Sequence, residues 1–127
     1  MPSGLVIQVD DSYFVRVKVD RQKTPLCIRF RPKDLQELRL AAFRRQEALT
    51  VCIREWVLNR VVAMEEGLDV SRLTFSDASE KGRGRTELLA VRFSPKDYAR
   101  IEKQAVRENQ APSPWVRAIA LEYAHGP

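Results

Sequence analysis

The chain has 127 residues, with 22 Lys and Arg against 17 Asp and Glu, which gives a formal net charge of +5. This length fits one domain with its own core, and the basic surplus favours a polyanionic partner. Hydrophobic residues make up 44%, and no uncharged stretch approaches the roughly 20 residues of a membrane span. We therefore expect a globular chain without a membrane partner. Because the first residues lack the basic start and apolar run of a secretory signal, we expect a cytoplasmic location.

Several chemistries are disfavoured by the reactive residues. Cys27 and Cys52 suit a reducing compartment and predict no disulfide framework. The single histidine, His125, has no metal-ligand spacing to either cysteine. The sequence contains neither a glycine-rich phosphate loop nor a clear nucleophile–base pair. We therefore expect no metal, no cofactor and no enzymatic activity.

The first elements in chain order are a hairpin and a strand. Residues 5–9 and 13–19 alternate around a turn and predict an N-terminal β-hairpin within residues 1–22. Residues 23–64 then form a strand-helix-helix unit. The period of two in its strand places Ile28 and Phe30 inward. Pro32 suits the first turn of the following helix.

The two helices of this unit carry apolar residues at helical spacing. Thr50 is the expected cap of the second helix. A linker over residues 65–85 follows, apolar at first and then flexible and partly basic. The residues expected to be buried are Leu35, Leu38, Ala42 and Phe43 in the first helix, and Ile53, Trp56, Val57 and Val61 in the second.

An internal repeat then defines residues 86–127 as a second unit. The segment 29–34 recurs 63 residues later as 92–97, and ten of the thirty aligned pairs from 29/92 to 58/121 are identical. Ser113, followed by Pro114, is the expected cap of its second helix. The residues expected to face inward are Leu89, Val91, Phe93, Tyr98, Ile101, Ala105, Val106, Val116, Ile119, Ala120 and Tyr123.

One strand in each unit is not stable alone. Antiparallel pairing of strand 26–30 with strand 89–93 gives a two-stranded ribbon whose apolar face packs on four helices. The predicted class is therefore α+β, in one compact domain with pseudo-twofold symmetry. The chain is expected to act as a monomer that is a pseudo-dimer.

Each unit resembles the ribbon-helix-helix family of DNA-binding proteins. The Phe-x-Pro-Lys-Asp start and the Ser-Pro-Trp-Val-Arg segment are most similar to the relaxosome-accessory branch of plasmid mobilisation proteins. Two units in one chain resemble the tandem domains of agrobacterial virulence proteins that bind the overdrive enhancer beside T-DNA borders. The resemblance covers roughly residues 24–62 and 86–125. It departs from the family at the turn between helices, where Gln46 and Asn109 replace the usual glycine.

The resemblance implies that outward strand residues read bases in the major groove and that the N-termini of the second helices hold phosphates. Pro114 lacks an amide, so Trp115 and Val116 are the expected donors in unit two. The implied base-reading residues are Arg29, Arg31, Arg92, Cys27, Ala90 and Ser94. The implied phosphate-binding residues are Thr50, Val51, Ser113, Trp115, Lys33 and Lys96. Because Arg31 aligns with Ser94, we expect unequal half-sites.

Some residue roles stay open on sequence alone. Trp115 fits the core as well as a phosphate contact. Segment 81–85 fits a plain linker better than a phosphate track, and Tyr13, Arg16 and Lys18 are a further candidate DNA surface.

The leading function is a double-stranded DNA-binding accessory factor in T-DNA or plasmid transfer, with a relaxase or other DNA-processing protein as a candidate partner. A transcriptional repressor or antitoxin uses the same fold and contacts. A protein-interaction module is the alternative from another class. An RNA-binding module is disfavoured because the major groove of A-form RNA is too narrow for the ribbon.

Overall fold

Two strands and four helices follow one another in the computed structural model, which describes residues 24–75 and 84–125. The first unit contains β1 (Thr24–Phe30), α1 (Pro32–Arg44) and α2 (Leu49–Glu65). The second contains β2 (Glu87–Phe93), α3 (Pro95–Arg107) and α4 (Pro112–His125). The predicted hairpin over residues 1–22 and the basic part of the linker, residues 76–83, lie outside the described residues.

The two strands pair antiparallel, as predicted, and the α+β class is confirmed. Cys27 lies opposite Ala90, and the repeat offset relates these same two residues. The alternation also holds. One face of the sheet is buried through Leu26, Ile28, Phe30, Val91 and Phe93, and the other exposes Pro25, Cys27, Arg29, Leu88, Ala90 and Arg92.

The first helices of the two units have matching bounds, and both begin with proline. Asp34 and Asp97 lie in their first turns, where the helix dipole stabilises a negative charge. The caps differ between the units. The Ser94 hydroxyl accepts a hydrogen bond from the Asp97 amide at 3.1 Å, whereas Arg31 makes no side-chain cap bond.

The turn between the helices has the same geometry in both units. Gln46 and Asn109 each have φ of 58°, in the left-handed region. The amide of Glu47 donates to the carbonyl of Ala42 at 3.1 Å, and Gln110 repeats this bond. This is the Schellman motif, which satisfies the last carbonyls of a helix. Both residues therefore adopt the left-handed conformation of this turn, although neither is glycine.

The predicted starts of the second helices are wrong. Helix α2 begins at Leu49 after the N-cap residue Ala48, and α4 begins at Pro112. The second helix of each unit begins only a few residues after the Schellman turn. Thr50 and Ser113 therefore lie within the first turn of α2 and α4 and do not cap these helices. Proline at the first position of α4 needs no amide partner.

Most of the predicted core is confirmed, with three exceptions. Phe43 and its repeat equivalent Val106 are 78% and 69% exposed. Each follows a buried alanine, and one residue rotates a helix by ~100° away from the core. Tyr123 is also exposed, but its ring stacks on Trp56 with centroids 5.2 Å apart. The buried cluster joins both units and includes Leu38, Ile53, Val57, Ile101, Trp115, Val116 and Ile119.

The segment after α2 is partly fixed to the helices. Leu73 is buried and Phe75 is half-buried, whereas Leu68 and Val70 are exposed. Arg60, itself buried, donates from Nη1 to Oε1 of Glu122 at 2.9 Å and from Nη2 to the carbonyl of Ser71. A buried charge is costly unless it is paired in this way. No helix in the described ranges has the length and apolar character needed to cross a membrane.

Candidate nucleic-acid interface

The exposed face of the ribbon carries two arginines related by the repeat. Arg29 and Arg92 both point away from the core. Each lies two residues from the central Cys27–Ala90 pair, in opposite directions along the ribbon. At ~3.4 Å per residue, four residue steps separate the two Cα atoms by ~14 Å along the ribbon. The predicted base readers Cys27 and Ala90 are small and exposed between them.

Leu88 is a further outward residue, for which no role was predicted from the sequence. It lies directly opposite Arg29 and is 54% exposed. The signal was its position in the strand alternation, which placed it outward beside Ala90. An exposed apolar side chain at this position suits contact with the methyl group of a thymine.

The ends of the ribbon differ between the two units. Arg31 is half-buried just beyond β1, and the position of a Cβ on Gly84 would be 3.7 Å from its Nε. Its equivalent, Ser94, is half-buried and caps α3. A hydroxyl that accepts one bond still has its own hydrogen to donate. A base contact by Ser94 is thus compatible with the cap.

Arginines of the second helices hold the backbone of the opposite unit's strand. Arg54 Nε donates to the carbonyl of Arg92 at 3.1 Å, and Arg117 Nη1 donates to the carbonyl of Arg29 at 3.3 Å. Donors and acceptors are both related by the repeat. No role for either arginine was predicted from the sequence, although the two are an identical pair in the aligned units. These bonds position the two candidate base-reading residues.

Two further arginines lie close to Arg117, which donates to the Arg29 carbonyl. Burial lowers the pKa of the half-buried Arg117 guanidinium, and the nearby charges of Arg85 and Arg31 lower this pKa further. The side chain of Arg85 is itself buried. Its repeat equivalent is Gln22, outside the described residues.

The first turn of α2 and that of α4 differ in how many amides they offer to a phosphate. Thr50 and Val51 are half-buried in the first turn of α2, where the amides have no partner within the helix. In α4, Pro112 and Pro114 have no amide, so Ser113 supplies the free donor of that turn. The Ser113 hydroxyl donates to the carbonyl of Cys27 at 2.8 Å, which joins this turn to the ribbon.

The predicted phosphate contact of Trp115 is wrong. Trp115 is fully buried, its amide donates to the carbonyl of Ala111, and its Nε1 donates to Oε1 of Glu108 at 3.0 Å. Val116, the other expected donor, is also fully buried, one turn into the helix. The cause is the early start of α4, which moves both residues past its free amides. Trp115 therefore belongs to the core.

Lys33 and Lys96 are exposed at the second positions of α1 and α3, just beyond the ribbon. A lysine here offers a mobile point charge that suits phosphate oxygens better than base edges. Together with the first turns of α2 and α4, they flank the exposed face.

Comparisons of the chain with protein-family models, with curated proteins and with solved structures gave no match.

Proposed function

We propose that the chain binds double-stranded DNA by inserting the exposed face of its ribbon into the major groove. The observation that carries this proposal is the exposure of Arg29 and Arg92 on the one sheet face that the core does not cover. The major groove is ~12 Å wide and admits a two-stranded ribbon. Arginine bonds O6 and N7 of guanine with two parallel hydrogen bonds, the commonest specific contact in this groove.

We infer further that the two units form a single-chain ribbon-helix-helix pseudo-dimer. Three features support this inference, because the repeat offset exchanges the residues of unit one with the equivalent residues of unit two in each of them. They are the Cys27–Ala90 pair, the two Schellman turns and the two arginine–carbonyl bonds across units. On this reading one chain carries two half-sites, with the guanine-reading residues separated by about four base pairs at ~3.4 Å per base pair.

Phosphate contacts flank this ribbon in the proposal. The amides of Thr50, Val51 and Ser113 and the ammonium groups of Lys33 and Lys96 supply them. Helix N-termini bind anions through free amides and the positive end of the dipole. Such contacts fix the register of the protein on the duplex but do not read sequence.

The biological setting that we propose is T-DNA or plasmid transfer, with the chain as a non-catalytic accessory factor in relaxosome assembly. Its support is the resemblance of the repeated motifs. A repressor or antitoxin would make the same DNA contacts. Mapping of the preferred site separates the two, because an accessory factor binds beside a transfer nick and a repressor binds within a promoter.

The test starts with selection of bound duplexes from a random pool. On the selected site, Arg29→Ala and Arg92→Ala should each lose about 1–3 kcal/mol of binding free energy, whereas binding to unrelated duplexes should change little. Arg39→Ala is the control, because it removes the same charge from an exposed position of α1. Its effect should be small on both duplexes.

Two outcomes would contradict the proposal. Equal losses on every sequence would reassign Arg29 and Arg92 to phosphate contact. If wild-type affinity for duplex DNA were undetectable at low salt, DNA binding would be excluded and the protein-interaction module favoured. For a DNA-binding protein, the logarithm of affinity should fall linearly with the logarithm of salt concentration as counterions are released.

A further inference from the structure

Three potential metal ligands meet where the last turn of α4 contacts the first turns of α1. One donor atom from each of Asp34, Glu37 and His125 lies within 4.8 Å of the other two. The imidazole Nε2 of His125 is 2.9 Å from Oε1 of Glu37, although 88 residues separate them in the chain. The spacing of His125 to the two cysteines did not predict this cluster, because its members are brought together only by the fold.

The repeat shows what is unusual about this cluster. In unit two the positions equivalent to Asp34 and Glu37 hold Asp97 and Arg100, which form an ion pair at 3.1 Å. In unit one both positions are carboxylates, one helical turn apart, and like charges at this spacing repel each other. Among the described residues, the basic group that reaches Glu37 is the imidazole of His125.

The donor set indicates the class of ion. Two carboxylates balance the charge of a divalent cation, and imidazole favours transition metals over Mg²⁺ or Ca²⁺. Zinc bonds of ~2.0–2.1 Å in tetrahedral geometry place ligand atoms about 3.3 Å apart. Glu37 and His125 are at the surface, with side chains 38% and 55% exposed, so rotamer changes can close the remaining distance.

We propose that Asp34, Glu37 and His125 form a binding site for a divalent transition-metal ion such as Zn²⁺, with water completing the coordination. Bound metal joins the last turn of α4 to the first turns of α1, and thereby joins unit two to unit one. A ligand that binds only the folded chain shifts the unfolding equilibrium towards the native state. The site is therefore expected to stabilise the contact between the units.

The experiment is a calorimetric titration of the chelator-treated full chain with Zn²⁺. We expect one ion per chain, and affinity at least about tenfold weaker in Asp34→Asn, Glu37→Gln and His125→Gln, since even outer-shell changes at metal sites cost this much. The matched control is Asp97→Asn, the equivalent of Asp34 in unit two, which should bind Zn²⁺ as wild type does. Affinity that is equal in all four variants would overturn the proposal.

A second readout uses the wild-type chain. The chain has a single histidine, so its imidazole protons can be assigned without ambiguity. Addition of paramagnetic Co²⁺ to the wild-type chain should broaden these signals at one equivalent. Unbroadened His125 signals would overturn the site, as would zinc binding that disappears in Cys27→Ser and persists in His125→Gln.

Discussion

Gln46 and Asn109 are at equivalent positions with the same left-handed backbone, and they differ in how well they tolerate it. Asparagine visits this region readily, whereas a longer side chain such as glutamine pays a steric cost of ~1–2 kcal/mol there. Glycine is the residue most often found at this position of a Schellman motif. Unit one therefore carries a local strain that unit two largely avoids.

We predict that Gln46→Gly raises the free energy of unfolding by about 1 kcal/mol, because glycine removes the steric cost. Asn109→Gly should give a smaller gain, since the residue it replaces is already tolerated. Urea unfolding of both variants measures the difference. A loss of stability in Gln46→Gly, or a larger gain in Asn109→Gly, would contradict the explanation.

Some residue positions were predictable from the sequence, and others were not. Alternation placed Arg29 and Arg92 outward because a strand that packs on one face has a period of two. The prediction that Ser113 caps α4 was wrong. Both Pro112 and Pro114 are acceptable as the first residue of a helix, so the sequence alone does not show which of them begins α4. That shift of two residues decides whether Trp115 has a free amide or lies in the core.

At the scale of elements, the repeat predicted more than propensity alone. It gave the strand pairing and the matching bounds of α1 and α3, because a single strand needs a partner and the second copy supplies one. The bonds from Arg54 and Arg117 to the opposite strand were not predictable in the same way. They depend on how the second helices cross the ribbon, and identity between the units showed only that both arginines recur.

Arg54 and Arg117 make equivalent bonds in different surroundings, so the stability that each bond contributes can be compared. Arg54→Met and Arg117→Met each remove a bond to a strand carbonyl and keep the apolar stem, which should cost about 0.5–1.5 kcal/mol. The loss should be smaller for Arg117→Met, because the wild-type guanidinium is half-buried close to Arg85 and Arg31 and its charged form is disfavoured there.

Urea unfolding at low and high salt measures this difference. Salt screens repulsion between like charges, so the gap between the two variants should narrow as ionic strength rises. If the difference in unfolding free energy between the two variants is the same at low and high salt, repulsion around Arg117 has no net effect on folding.

At the scale of the whole molecule, one chain with two unequal units need not bind a symmetric site. A homodimer presents identical half-sites, but here Arg31 at one end of the ribbon is matched by the capping Ser94 at the other. Arg85 adds a guanidinium group close to Arg117 at the Arg31 end, and its equivalent in the repeat is the uncharged Gln22, whereas Arg117 has its own equivalent in Arg54. We therefore expect the selected duplex to be an imperfect palindrome, with stronger preference on the side that contacts Arg31.

Arg31→Ser tests this expectation, because it makes the two ends alike. The consensus selected by the variant should be closer to a palindrome than that of the wild type. Affinity for the wild-type site should fall by the equivalent of about 1–3 kcal/mol, the usual effect of one lost base contact. Lys33→Ala is the control from the adjacent position. It should weaken binding to all sequences by a similar factor and leave the consensus unchanged, as expected for a phosphate contact.

Sedimentation of the wild-type complex completes the test, because the asymmetry belongs to the molecule only if a single chain occupies the site. We expect one chain per duplex of minimal length, since β1 and β2 already form the full ribbon within one polypeptide. Two chains on that duplex, or an identical consensus for the wild type and Arg31→Ser, would show that the half-sites are read by something other than the unlike ends of this ribbon.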